Sequence, residues 1–366
     1  MRKAAKFSFM DINQSTGDHP PLSLAPGIKT TEVFRSYWKL AAERQKIFFK
    51  RFHGESAPWT DDPILLQHKF TNAYRASDRV SQYLIKHVIH EGEQSPKEWF
   101  FRILLFKFFN SIDTWEWLFY KLGGIHSDEF SFEAYDEALT AAMEAGRSIY
   151  SAAYIMPSGG MGSPYKRKHK MHLALLARML DEDLPDKIAQ APAMRSVFWL
   201  LRQYPSIGDF LAYQYATDLN YSPLTNFSEM DFVCPGPGAL DGIRKCFSDK
   251  SGYSDEDLIR IVAHRQQEMF SQMGLEFQDL WGRPLQLIDC QNLFCEVDKY
   301  ARVAHPEMNQ LAGRTRIKQR FEASMQPLLP WYPPKWGINN RIWGNREGGE
   351  SNSTSWTIHL NPETKF

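Results

Sequence analysis

Apolar residues recur at helical spacing through most of this chain, and this pattern restricts the fold more than any other feature. Phe34, Tyr37, Trp38, Ala41 and Ala42 lie at i, i+3, i+4, i+7 and i+8 and so share one face of a helix. Alternation with a period of two residues, which is typical of strands, occurs only over 356–360. The sequence therefore predicts an all-α fold, with helices near 30–49, 64–90, 96–121, 131–150, 167–181, 191–203, 207–218, 238–247, 254–273 and 285–304.

Proline and glycine divide this helical pattern. Residues 1–28 have such breaks and no helical period, so we expect a mobile leader before a helical domain over 29–345 and a mobile polar tail over 346–366. A loop of small residues, 157–164, lies near the middle of the 366 residues. This loop is either a linker between lobes 29–156 and 165–345 or a loop whose glycines let a phosphate approach the backbone.

Composition excludes several classes of protein. Lys plus Arg and Asp plus Glu both number 43, so no overall field attracts nucleic acid, and DNA binding requires a local basic face. The apolar stretch 99–109 contains Arg102 and Lys107 and is too short to span a membrane. The four cysteines lack a CxxC pair, which favours a reducing cytoplasm and no metal site. We expect a cytoplasmic monomer with no membrane contact, metal or cofactor.

The segment 200–212 predicts two helices joined by a tight turn. A helix ends before Pro205, a tight turn passes through Gly208, and a second helix begins directly, with Phe210 and Ala212 facing inward. The unpaired backbone N–H groups at the start of that helix can hold a DNA phosphate without reading a base. The candidate DNA-binding residues of this hairpin are Pro205, Ile207, Gly208 and Asp209.

This hairpin resembles that of the helix-hairpin-helix DNA glycosylases. Pro205, Ile207, Gly208 and Ala212 match the family pattern, whereas Ser206 replaces a glycine. The resemblance implies a glycosylase-like, two-lobed helical fold and a catalytic aspartate about twenty residues after the hairpin. Asp231 is at that position, although an aspartate there also suits a helix cap. Lyase members carry a lysine where this chain has Asp209 and Phe210, so the resemblance implies a monofunctional enzyme.

A second resemblance extends over most of the chain. The segments 37–44, 59–63, 70–79, 218–222 and 235–238 look like the phage-associated alpha-glutamyl/putrescinyl thymine pyrophosphorylase group. That group is similar to the helical domain of the 5-hydroxymethyluracil DNA kinases, and the resemblance implies work on hypermodified bases in phage DNA. The phosphate-binding motif GxxxxGK[ST] is absent, so kinase activity is not expected.

Two predicted helices carry polar stripes that can line a pocket for a flipped base. Asp289 is also a second candidate for the catalytic carboxylate, because it follows the apolar residues Leu287 and Ile288. The alternative interpretation is that each stripe is a solvated helix face. The candidate pocket residues are Asn72, Arg75, Asp78, Arg79 and Gln82 in the first stripe, Asn292, Glu296 and Lys299 beside Asp289 in the second, and Asn220.

Two basic clusters are candidates for phosphate contacts, with a solvated surface as the alternative. They comprise Lys166, Arg167, Lys168 and Lys170, and Arg314, Arg316, Lys318 and Arg320.

These features together favour a DNA glycosylase. The hypothesis is that the protein flips a hypermodified pyrimidine out of DNA and excises it, leaving an abasic site, in defence against phages. A base-modifying transferase that replaces the pyrophosphate of an activated 5-hydroxymethyluracil with an amine is the first alternative. A non-catalytic DNA-binding module is the second.

Overall fold

The computed structural model describes residues 24–153, 156–157, 165–311, 313–324 and 326–343. It confirms the all-α prediction, since the described strands form a single two-stranded antiparallel sheet, β1 (Lys29–Thr30) with β2 (Phe247–Asp249). The α-helices are α1 (Glu32–Phe52), α2 (Pro63–Gln67), α3 (Arg79–Tyr83), α4 (Pro96–Phe109), α5 (Ile112–Leu122), α6 (Phe132–Glu144), α7 (Lys168–Asp181), α8 (Leu184–Ala189), α9 (Met194–Arg202), α10 (Asp209–Leu219), α11 (Pro237–Cys246), α12 (Asp255–Gln272), α13 (Leu287–Ala304) and α14 (Asn339–Trp343).

Several predictions fall on segments outside the described residues. These are the leader up to residue 23, the glycine-rich stretch 158–164, the tail 346–366 and the alternating segment 356–360. The end of the predicted leader is packed into the fold, because Leu24 is buried and its carbonyl accepts a hydrogen bond from Arg265.

Serine residues cap the N-termini of several helices, and one of these caps lies inside a segment that the sequence predicted as a single helix. The predicted helix 96–121 is two helices, because Asn110 adopts a left-handed conformation (φ 49°) and ends α4. The Ser111 hydroxyl then accepts the backbone N–H of Thr114 and starts α5. Asparagine tolerates this conformation better than most residues, so a sharp turn follows the apolar run.

The prediction of one continuous helix over 64–90 is wrong in the middle of that segment. Helix α2 ends at Gln67, and a 3₁₀ turn (Arg75–Ser77), α3 and a π-helix (Leu84–Ile89) replace the continuous helix. The backbone between them bonds other segments: Lys69 N–H donates to the carbonyl of Gln319, and Phe321 N–H donates to that of Gln67. Partners distant in the sequence therefore satisfy the peptide groups that a helix would otherwise pair.

Helices α11 and α13 approach closely at the centre of the C-terminal half. A Cβ atom added at Gly242 would lie 1.9 Å from the backbone carbonyl oxygen of Phe294, so only glycine permits this approach. Helix α1 packs beside them, with the rings of Tyr37 and Phe294 4.6 Å apart.

Helix α4 lies at the centre of a second buried region, apart from the contact between α11 and α13. Ten of its last eleven residues are less than 4% exposed, including the charged Arg102 and Lys107. It packs against α7, α8 and α10. Elements of the two predicted lobes, 29–156 and 165–345, thus contact each other, and the division itself stays a prediction. None of the helices in the described part of the chain combines the length and the apolar composition of a membrane span.

Candidate nucleic-acid interface and buried ionic cluster

Helices α9 and α10 are joined by the predicted hairpin turn. Ser206 adopts the left-handed conformation (φ 67°) at the position where the glycosylase pattern has glycine. Ile207 is buried and fixes the turn, whereas Pro205, Gly208 and Asp209 are exposed. Gly208 caps α10 without a side chain, so the first N–H groups of α10 lie at the protein surface.

Asp231 lies beside this hairpin and is exposed. The neighbouring Phe232 is buried between the two hairpin helices, with its ring centre 5.1 Å from that of Phe198 in α9 and 5.7 Å from that of Tyr213 in α10. Arg260 donates to the carbonyls of Met230 and Asp231 at 2.9 and 2.7 Å. The backbone at Asp231 is therefore fixed while its carboxylate faces solvent.

The segment that follows Asp231 also packs on the hairpin. A Cβ atom added at Gly236 would lie 2.4 Å from the ring of Phe210, in the first turn of α10. Gly236 caps α11, so the beginnings of α10 and α11 are neighbours. We call the exposed residues of the turn 203–208, of the first turn of α10 and of the segment 228–236 the hairpin surface.

The two predicted polar stripes lie against each other, although the first is not one helix. The backbone N–H of Thr71 donates to Glu296 at 2.8 Å, and that of Arg75 donates to Asp289 at 2.8 Å. Lys299 pairs with Glu296 at 2.9 Å. The carboxylates of α13 thus hold the irregular segment 68–78 in place.

Arg75 is the centre of a buried ionic cluster. Its guanidinium donates to Asp218 at 2.7 Å, Gln214 at 3.0 Å and the Tyr221 hydroxyl at 3.1 Å. Lys107 lies 3.4 Å from the other oxygen of Asp218, and the side chains of Arg75, Lys107 and Asp218 are at most 4% exposed. Burial lowers the pKa of Lys107 to about 8, and Asp218 opposes that shift. This cluster lies inside the protein, away from solvent.

Asp289 belongs to the same interior. One oxygen accepts the N–H of Arg75, and the other accepts the N–H of Gln286 at the start of α13. Burial raises the pKa of Asp289 to about 7, although these hydrogen bonds oppose the shift. Both oxygens are therefore occupied by backbone groups. Burial likewise raises the pKa of Asp78 to about 7, and the N–H of Asn72 opposes it.

Amide side chains among the candidate pocket residues form hydrogen bonds with other residues of the protein. Asn72 donates to the Ser77 carbonyl and accepts from Arg44, and Gln82 bonds the backbone of Ala76 and Trp331. Asn220 is buried and closes the loop 220–227 through the backbone of Phe227 and the hydroxyl of Thr225. Arg79 is exposed, and Asn292 is half-buried.

The basic clusters differ in how many of their charges are paired. In the first, Lys170 pairs with Asp136, Arg167 donates to Thr140, Lys168 lies over the ring of Tyr150, and Lys166 is exposed. In the second, Arg314, Arg316, Lys318 and Arg320 are all exposed. The backbone next to Arg320 pairs with 67–69, so this second cluster borders the first polar stripe.

Among the described residues, Glu93, Glu98 and His126 place one potential ligand atom each within 4.8 Å of one another. The guanidinium of Arg102 already supplies a positive charge there, 3.7 Å from the Glu98 carboxylate. We therefore assign no metal to this group.

Sequence reasoning missed the partners of Arg75, namely Gln214, Asp218 and Tyr221, and it missed Lys107, which pairs with Asp218. A signal was present, because Lys107 interrupts an apolar run in which no solvated face exists. A charge in such a run requires a buried partner. Asp218 and Tyr221 lie in the segment 218–222, which carries part of the family resemblance.

The segments that form the hairpin surface and the buried ionic cluster fall within a match to a known family. The model of the family described as "5-hmdU DNA kinase, helical domain" matches residues 31–310. The chain belongs to this family. The hairpin surface, the ionic cluster and both polar stripes lie within the match to the 5-hmdU DNA kinase helical domain, whereas Arg314, Arg316 and Lys318 lie beyond it.

One curated relative is a protein of Bacillus phage SP10 named 5-hmdU DNA kinase. It is 28% identical over 284 residues, which cover 72% of this chain and 44% of the relative. The chain thus spans less than half of the relative's length. No solved structure is significantly similar to the chain.

Proposed function

We propose that the protein is a DNA glycosylase that binds DNA through the hairpin surface and excises a modified pyrimidine. The observation that carries this proposal is the position of Asp231. Its carboxylate is exposed, its backbone is held by Arg260, and its neighbour Phe232 packs on both hairpin helices. A DNA strand bound at the hairpin would therefore pass close to a fixed carboxylate.

The first step is the binding of a phosphate. The uncapped N–H groups of α10 and the positive end of the helix dipole hold one phosphate oxygen, which positions the strand. Exposed cations elsewhere, among them Lys166, Arg314, Arg316 and Lys318, add sequence-independent attraction that weakens with salt.

The chemical step is hydrolysis of the N-glycosidic bond. The Asp231 carboxylate stabilises positive charge that develops on the deoxyribose, or accepts a proton from the attacking water. Water adds its oxygen to C1′, the bond from C1′ to the base nitrogen breaks, and the base leaves with a proton. Asp209 and Phe210 occupy the position where lyase members of the glycosylase superfamily have lysine, so water and not an amine is the nucleophile.

Asp289 is the second candidate carboxylate, and its contacts favour a positioning role. Both oxygens accept backbone N–H groups, and the side chain is 4% exposed. It holds Arg75 and thereby the segment that carries Asn72, Asp78, Arg79 and Gln82.

Membership of the family supports the proposed substrate class. The phage relative is named for 5-hmdU, a modified pyrimidine nucleoside in DNA, and shares the helical domain with this chain. We propose DNA that contains modified pyrimidines as the substrate, and defence against phages with such genomes as the role.

The experiment is alkaline cleavage of phage DNA that contains unmodified, hydroxymethylated or glucosylated pyrimidines. We expect alkali-labile sites with the wild type on one modified DNA, and at least a 100-fold slower reaction with Asp231→Asn. Asp113→Asn, which changes an exposed acid on α5, is the matched control and should retain full activity. If the wild type and the Asp113→Asn control both leave every DNA strand intact, the proposal is contradicted. A nucleoside of altered mass in those intact strands would then indicate the transferase reaction.

A further inference from the structure

Trp199 is the most exposed tryptophan in the described part of the chain. Its side chain is 57% exposed on α9, one turn before the hairpin. It lines a surface cavity of about 490 Å³ that extends from the α8–α9 connection to Gln203 in the hairpin turn. Exposed tryptophan is uncommon, and an aromatic ring at the edge of a cavity is typical of a binding surface.

Cations flank this ring along the same face of α9. Arg195, Trp199 and Arg202 lie at i, i+4 and i+7, which is about 6 Å and then about 4.5 Å along the helix axis. The Arg195 guanidinium stacks on the ring of Phe232, next to Asp231, and Arg202 pairs with Asp209 at the start of α10. The Trp199 face is therefore continuous with the hairpin surface on both sides.

Two of the carboxylates near this face are paired, whereas that of Asp231 is exposed. Asp209 is held by Arg202, and Glu182 accepts from Arg178 and from the hydroxyl of Tyr204. Lys187 adds an exposed cation at the edge of the cavity. The face thus offers an aromatic plane near the exposed cations Arg195 and Lys187, which suits a base and its flanking phosphates.

We infer that Trp199 stacks on an unpaired nucleobase of the DNA strand whose phosphate binds the hairpin. This inference rests on the proposed function, because it requires DNA at the hairpin. It adds that the protein binds single-stranded or locally unpaired DNA more tightly than a fully paired duplex, since a paired base cannot reach the ring.

The test measures binding by fluorescence anisotropy at fixed salt, with a labelled single strand of 12 nucleotides and the corresponding duplex. The proteins are the wild type, Trp199→Ala, Trp199→Phe and the control Tyr120→Ala, which removes a 62% exposed ring on α5. We expect Trp199→Ala to raise the Kd for the single strand by about 5- to 150-fold and to change the Kd for the duplex less than 2-fold. Trp199→Phe should restore part of the affinity, and Tyr120→Ala should match the wild type.

The outcomes separate this inference from the proposed function. If the wild type binds both DNAs and Trp199→Ala weakens neither, the inference is wrong and the hairpin proposal stands. If Trp199→Ala weakens both DNAs equally, the ring contributes to general binding and the preference for unpaired bases is wrong. If the wild type binds neither DNA, both proposals fail. Thermal unfolding of each variant confirms that the exposed substitutions leave the fold intact.

Discussion

The buried ionic cluster and the hairpin surface both contain acidic and basic residues, yet they differ in what those residues can do. In the cluster, Asp218 and Asp289 are at most 4% exposed, and each is held by short contacts to Arg75. At the hairpin surface, Asp231 is exposed, and Arg260 holds its backbone carbonyl. The comparison separates carboxylates that hold the fold from a carboxylate that can meet a substrate.

This difference matters because perturbed pKa values are often taken to mark active sites. Asp289 has such a value, but its two oxygens already accept backbone N–H groups. A buried structural ion-pair network shifts a pKa just as a catalytic site does. Access to solvent and to the hairpin is therefore the better criterion for choosing between Asp231 and Asp289.

The largest expected effect is on the cluster. Asp218→Asn leaves Arg75 and Lys107 buried without their counter-charge, so we expect the free energy of unfolding to fall by about 3–5 kcal/mol. Urea denaturation followed by circular dichroism measures this change. Asp113→Asn, on an exposed face, should change it by less than about 0.5 kcal/mol. An equally small effect of Asp218→Asn would show that the cluster does not hold the fold.

A smaller effect is expected for Asp289→Asn. The amide can accept only one of the two backbone N–H groups, so we expect a loss of about 1–3 kcal/mol in the free energy of unfolding.

The size of that loss should depend on pH. Burial raises the pKa of Asp289 from 3.8 to about 7, so the folded protein holds this proton more tightly than the unfolded chain does. Ionisation therefore lowers the free energy of unfolding of the wild type as pH rises from about 4 to 7. Asparagine does not titrate, so the penalty of Asp289→Asn should be larger at pH 5 than at pH 8. Urea denaturation at both pH values measures it, and a larger penalty at pH 8 would contradict the assignment.

The smallest effect concerns the hairpin turn. Ser206 has a φ of 67°, which glycine adopts without strain. We expect Ser206→Gly to raise the free energy of unfolding by about 1 kcal/mol and to leave the Kd for DNA unchanged. Thermal unfolding and anisotropy measure the two quantities. A loss of stability would indicate that the Ser206 side chain stabilises the turn in a way that its backbone conformation does not explain.

Local patterns predicted most of the fold. Eight of the ten helices predicted from the spacing of apolar residues correspond to single helices of the structure, and Pro205 with Gly208 located the hairpin, because these signals lie within a few residues of one another. The segment 64–90 defeated the same reasoning, because its backbone bonds Gln319 and Phe321, about 250 residues away. No local period reveals such partners.

The candidate site was predictable in part. The two polar stripes were identified from spacing alone, and the structure brings them together through Arg75 and Asp289. The sequence did not predict that most side-chain amides of the two stripes form hydrogen bonds with nearby backbone groups. These bonds depend on the irregular backbone conformation of the segment 68–78. The exposure of Asp231 likewise depends on how Phe232 packs between α9 and α10.

The most direct test of the account compares Asp231→Asn with Asp289→Asn in the excision of a modified pyrimidine. The rate is expressed per folded molecule, with the folded fraction taken from denaturation curves. We predict that Asp231→Asn loses at least 100-fold in rate without losing stability, whereas Asp289→Asn loses stability and keeps its rate within a few-fold. The reverse result, with excision abolished by Asp289→Asn and retained by Asp231→Asn, would contradict the assignment of the hairpin surface as the site of chemistry.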